Sequence, residues 1–224
     1  MTAVLEVAGL HKTYVQHLLD GRRVPVLMGV DLAVAPGELV VVRGPSGSGK
    51  STLLRCVYGS ALADRGRILV SGGAERVDMA TAAEREVMAA RHGLIAMATQ
   101  FLQVVPRVPA AELVELEGVP ATAARDILGR LGLPAELHDV PPATFSGGQR
   151  QVVNLALALA RPRPLLLIDE VTAALDPARR ATAHAELLAR KLAGVAILAV
   201  AHDLPEARGL VDRVLTMREG RLAA

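Results

Sequence analysis

The chain has 224 residues, 51% of them hydrophobic and 21% charged, with a mean hydropathy of +0.35, which is the composition of a packed globular protein and excludes extensive disorder. A net charge of +2 with scattered arginines and only 2% aromatic residues gives no support for nucleic-acid binding. A lone cysteine, Cys56, excludes an intramolecular disulfide framework and a cysteine metal cluster, and its expected place is the core.

In chain order, short aliphatic runs at 4–7, 39–42, 67–70, 94–98, 165–168, 195–200 and 211–217 read as strands. Helical patterns at 51–58, 121–131, 148–160 and 177–192 alternate with them, so the fold class expected is α/β with a mostly parallel core sheet. Asp20-Gly21 marks a hairpin or loop near the start, where an antiparallel portion fits. Residues 106–142 break the alternation, being helical and punctuated by Pro106, Pro109, Pro120, Pro134 and Pro141-Pro142, and read as an inserted helical lobe. The expectation is one domain over 1–224, with a core at 1–105 and 143–224. Every apolar run is shorter than the roughly 20 residues of a transmembrane helix, and residues 1–10 lack a secretory signal. The reading is therefore cytoplasmic, with no direct membrane insertion.

Gly44-Pro45-Ser46-Gly47-Ser48-Gly49-Lys50-Ser51-Thr52 follows one strand and opens a helix, the setting in which a G-x-x-x-x-G-K-[ST] loop cradles phosphates. Its glycines let backbone N–H groups and the helix N-terminus face an anion. Lys50 supplies a compact charge for the β- and γ-phosphates of ATP, and Ser51 is a ligand for Mg²⁺. Only Lys12, Lys50 and Lys191 are lysines in a chain otherwise rich in arginine, so position 50 asks for a point charge that a planar guanidinium does not provide. The competing reading, a Gly-Ser turn with a solvated lysine, does not account for the strand and helix on either side.

Further on, a buried strand ends in Asp169-Glu170. Neighbouring strand residues point to opposite faces, so the two acids have different tasks: Asp169 for the Mg²⁺ shell, Glu170 for polarising the attacking water. Alone, the pair could equally be solvated acids at a strand end; the phosphate loop decides between them.

Between these two sites stands Phe145-Ser146-Gly147-Gly148-Gln149, which resembles the signature motif of the ABC ATPases. The resemblance covers essentially the whole chain, in family order. It implies that Tyr14 stacks on adenine, that Gln100 senses Mg²⁺ and the γ-phosphate, that Asp176 of Ala173-Ala-Leu-Asp176 communicates between subunits, and that His202 contacts the γ-phosphate. It also implies that the signature residues act across a dimer. Singly, Tyr14 could be a core aromatic, Gln100 a surface amide and His202-Asp203 a helix cap. Three departures stand out: Val171 replaces the usual proline after the glutamate, and Val152 and Leu157 replace common arginines.

Three stretches, 13–27, 100–108 and 144–148, are similar to the PhnL-type ATPases of the carbon-phosphorus lyase system. That similarity implies phosphonate degradation, with a PhnK-type second ATPase or a second copy of the chain as dimer partner, and a soluble lyase core converting phosphonate plus ATP to ribose phosphonate triphosphate. The alternatives are the ATPase of a membrane transporter, of lipoprotein-release or MacB-like type, and a scaffold that binds ATP without hydrolysing it.

Overall fold

The computed structural model describes residues 2–16, 20–100, 107–200 and 209–223. The chain begins with a long hairpin, β1 (Leu5–Gln16) against β2 (Arg22–Val34), followed by β3 (Leu39–Arg43), α1 (Lys50–Val57), β4 (Arg65–Gly72) and β5 (Glu75–Asp78). Next come α2 (Glu84–Gly93), β6 (Ile95–Ala98), α3 (Ala110–Glu115) and α4 (Ala121–Arg130). The remainder is α5 (Gly147–Ala160), β7 (Leu165–Asp169), α6 (Pro177–Leu192), β8 (Ala196–Val200), β9 (Arg213–Arg218) and β10 (Arg221–Ala223).

Among the described residues the strands form two sheets. One is antiparallel, ordered β2-β1-β4-β5; the other has six strands ordered β10-β9-β3-β8-β7-β6, parallel except for β10. In the six-stranded sheet, alternation along each strand divides the core in two. Leu39, Val41, Leu166, Ile168, Ile197 and Ala199 face a cluster shared with α3 to α6. Val40, Val42, Leu165, Leu167, Leu198 and Val200 face a second cluster shared with α1 and the antiparallel sheet. Burial on both faces is why these strands are continuous apolar runs. Cys56 lies in that second cluster, and burial pushes its thiol up to about 11.

The expected α/β architecture with an antiparallel N-terminal portion and a helical lobe is the one observed. Asp20 and Gly21, just before β2, both take positive φ, 50° and 71°, a conformation that glycine and the short side chain of aspartate tolerate. In the lobe, Pro109 and Pro120 stand at the N-caps of α3 and α4 with extended backbone, so the prolines separate the helices instead of breaking them. Ala124, Ile127 and Leu128 give α4 its buried stripe. Val152 is 1% exposed within the α5 core cluster, a position where an unpaired arginine would be costly.

Each lysine outside the phosphate loop also holds several groups at once. Lys191, in the last turn of α6, donates to the Gly209 and Leu210 carbonyls and to Asp212 at 3.0, 3.0 and 2.7 Å. Lys12 pairs with Asp64 at 3.3 Å and lies over the Tyr14 ring, 5.3 Å from its centre. Among the described residues no helix is long and apolar enough to cross a membrane.

Candidate nucleotide-binding site

The phosphate loop leaves the C-terminal end of β3 and turns into α1. A Cβ on Gly44 (φ 150°) would lie 2.1 Å from the Met217 carbonyl oxygen, and one on Gly49 (φ 111°) 2.7 Å from that of Val26, so neither position admits a side chain. The loop is thus wedged between β9 and β2. Lys50 is 5% exposed and donates from Nζ to the Gly44 and Pro45 carbonyls at 2.9 and 3.0 Å, which curls its ammonium over the loop. Ser48 Oγ is buried without a hydrogen-bond partner among the described residues, an orphan of the kind that a bound polar ligand resolves.

β7 runs parallel to the same strands, one place beyond β8, and delivers its acids to the same end of the sheet. Asp169 is 6% exposed and accepts from Ser51 Oγ at 3.0 Å. Burial raises its pKa from the ordinary carboxylate value, with the Ser51 hydrogen bond opposing and the Glu170 charge adding to the rise. Glu170 has φ 53°, uncommon for a residue with a side chain, and its N–H donates to the Val200 carbonyl at 3.0 Å. A cavity of about 410 Å³ is lined by Ser46, Gly47, Gly49, Lys50, Ser51, Thr52, Gln100, Glu170 and Val26. Loop, amide and glutamate, far apart in sequence, therefore meet around one space.

Other expected site residues stand elsewhere. Ser146 is the N-cap of α5, accepting from Gln149 N–H at 3.3 Å while its own N–H donates to Gln149 Oε1 at 2.9 Å. Ser146 and Gly147 are exposed, and the signature residues do not line the cavity. Asp176 caps α6 and is held below the usual carboxylate range, chiefly by the Arg179 N–H. Tyr14 sits in β1 opposite Val24, 36% exposed, and does not line the cavity either. His202 lies outside the described residues. Sequence reasoning missed two buried amides on α5: Asn154 Nδ2 donates to the Thr99 carbonyl and Gln151 Nε2 to that of Gln100. They read as ordinary polar helix positions, and only the fold shows what they reach.

A family model described as ABC transporter matches residues 27–173. The chain is 41% identical over 224 residues to the aliphatic sulfonates import ATP-binding protein SsuB 3 of Nocardia farcinica, covering 99% of this chain and 80% of that protein. It belongs to the ABC transporter family. This ATP-binding cassette is also 39% identical to the methionine import ATP-binding protein MetN of Thermobifida fusca, covering 97% of this chain and 68% of MetN. It is 38% identical to the lipoprotein-releasing system ATP-binding protein LolD of Maricaulis maris, covering 98% and 96%. A solved dimer of an ATP-binding cassette in a post-hydrolysis state, bound to ADP and Pi, superposes with a TM-score of 0.88 at 26% identity, covering 98% of this chain and 97% of that one.

For this cassette the raised Asp169 carboxyl has a measurable consequence. Between the ordinary carboxylate value and the raised one, the folded chain keeps a proton that the unfolded chain has lost. Stability therefore falls as pH rises through that window and stays lower above it. At neutral pH, ligand-free Asp169→Asn is expected to melt at or above the wild-type Tm and to lose that part of the pH dependence. In the wild type, Mg²⁺ and ATP at a hundredfold excess over Kd should raise Tm by about 5 to 10 °C, and in the variant this rise should shrink. Thermal melts with and without Mg²⁺-ATP decide it; an undiminished rise in the variant excludes Asp169 from the metal shell.

Proposed function

We propose that the chain is the ATP-hydrolysing subunit of a membrane transporter, working on the cytoplasmic side as one half of a dimer. The observation that carries this reading is the alignment of nearly the whole chain with ATP-binding proteins of import and lipoprotein-release systems, at 38 to 41% identity. Dimer action is supported by the exposed Ser146 and Gly147, which stand clear of the chain's own cavity, and by the dimeric form of the structural neighbour. In this reading the signature residues Ser146, Gly147, Gly148 and Gln149 meet the partner's nucleotide, and Asp176 lies at the dimer contact.

The residues fit ATP and Mg²⁺. The loop N–H groups and Lys50 hold the phosphates, the orphaned Ser48 hydroxyl gains an acceptor, and Tyr14 takes the adenine. Ser51, Asp169 and Gln100 hold the Mg²⁺, which when bound spreads the charge of the phosphate oxygens. Burial penalises Asp169 as an anion, so a cation beside it relieves that cost. Glu170 takes part of a proton from a water aligned on the γ-phosphate, and His202 steadies the same phosphate.

A second reading, the PhnL-type subunit of the carbon-phosphorus lyase system with a PhnK-type or identical partner, rests on the stretches 13–27, 100–108 and 144–148. The relatives named above are transport ATPases, and they favour the first reading. Affinity purification from detergent-solubilised native cells separates the two. A co-eluting permease is the expected result; recovery of soluble lyase subunits without a permease would move the chain to phosphonate degradation.

A further inference from the structure

The helix that starts at the exposed signature residues is bonded to the segment that delivers Gln100. Gln151 and Asn154 stand one turn apart on α5, only 6% and 5% exposed. Asn154 Nδ2 donates to the Thr99 carbonyl and, at 2.9 Å, to Gln151 Oε1; Gln151 Nε2 donates to the Gln100 carbonyl. The two amides thus brace each other and hold consecutive backbone carbonyls just beyond the end of β6. Gln100 in turn lines the cavity with Lys50, Ser51 and Glu170. Buried hydrogen bonds of this kind do not slide; when α5 shifts, the carbonyls it holds shift too.

We propose that Gln151 and Asn154 are positioning residues that tie the placement of Gln100 in the chain's own cavity to the position of α5, and so to whatever engages Ser146 and Gly147 at its start. A partner's nucleotide drawing on the signature end then sets how Gln100 meets Mg²⁺ and phosphate on this side. This inference rests on the proposed dimeric ATPase, and its test has one arm that does not.

That arm is hydrogen exchange of the backbone across Thr99 and Gln100 in ligand-free protein. Asn154→Leu, which keeps the branched shape and the number of heavy atoms and removes both donors, should speed exchange there, and Gln151→Met should do the same if the leucine variant folds poorly. In the second arm, kcat for ATP should fall about ten- to a hundredfold, the loss that a misplacement of the order of 1 Å produces, while the Kd for ATP without Mg²⁺ moves less than about threefold. The fall should vanish when Asn154→Leu is introduced into Gln100→Ala, because the amides act through Gln100. Unchanged exchange in both variants overturns the clamp. Faster exchange with unchanged kcat, or an equal loss in the Gln100→Ala background, overturns the positioning role. A wild type that hydrolyses no ATP counts against the proposed function, and the exchange arm still judges the clamp.

Discussion

Glu170→Gln is expected to slow ATP turnover by about 10² to 10⁴ while leaving ATP bound. The substitution removes one ionisable oxygen and little else. Glu170 lines the cavity, and its φ of 53° is fixed by a backbone bond to Val200 that glutamine keeps. In the proposed site the groups that hold phosphate belong to the loop, so the Kd for ATP should stay within about threefold of wild type. With hydrolysis blocked and binding intact, dimers should accumulate in the presence of ATP and dissociate when it is removed. Steady-state turnover, equilibrium binding and light scattering together check this. Turnover that the substitution leaves unchanged would exclude Glu170 as the group that polarises the water, and only then does the reading of a scaffold that binds ATP without hydrolysing it survive.

Lys50→Arg should raise the Kd for ATP about thirtyfold or more. The ammonium is 5% exposed and bonds to two successive carbonyls, Gly44 and Pro45, at 2.9 and 3.0 Å. Its three N–H groups radiate from one atom, so it can bond the loop and still meet a phosphate. A guanidinium spreads its donors over a plane, so it cannot bond both carbonyls from one atom and still present a compact charge to a phosphate. Isothermal titration with ATP tests it; binding within threefold of wild type would show that a point charge is not needed there.

The parts of the site that were legible in sequence are those where phosphate chemistry dictates residue types: the glycines and lysine after β3, and the acid pair ending β7. The two-faced burial of β3, β7 and β8 was legible for the same physical reason, because a strand with no wet face carries no polar alternation. The antiparallel sheet was harder to read. β1 and β2 are 12 and 13 residues long, but register shifts after Val7, Leu10 and Lys12 break the two-residue period on which a strand is read. β5 consists of Glu75, Arg76, Val77 and Asp78, with no apolar alternation to mark it. α2 buries only Val87 and Ala90, too narrow a stripe to signal a helix. Gln151 and Asn154 were invisible because their importance lies in the carbonyls they reach, a long-range relation that local sequence does not encode.

The strand order has a consequence for how the protein is made. Ser51 follows β3 and Asp169 ends β7, but these strands are not neighbours: β8, which is synthesised after both, lies between them and pairs with each along its length. On the ribosome, the phosphate loop is complete early and the acids follow, yet the 3.0 Å contact between Ser51 and Asp169 waits until residues 196–200 have emerged and inserted. Glu170 waits as well, since its N–H is held by Val200. A chain that stops short of β8 therefore carries the phosphate loop and the acid pair without the strand that sets them side by side.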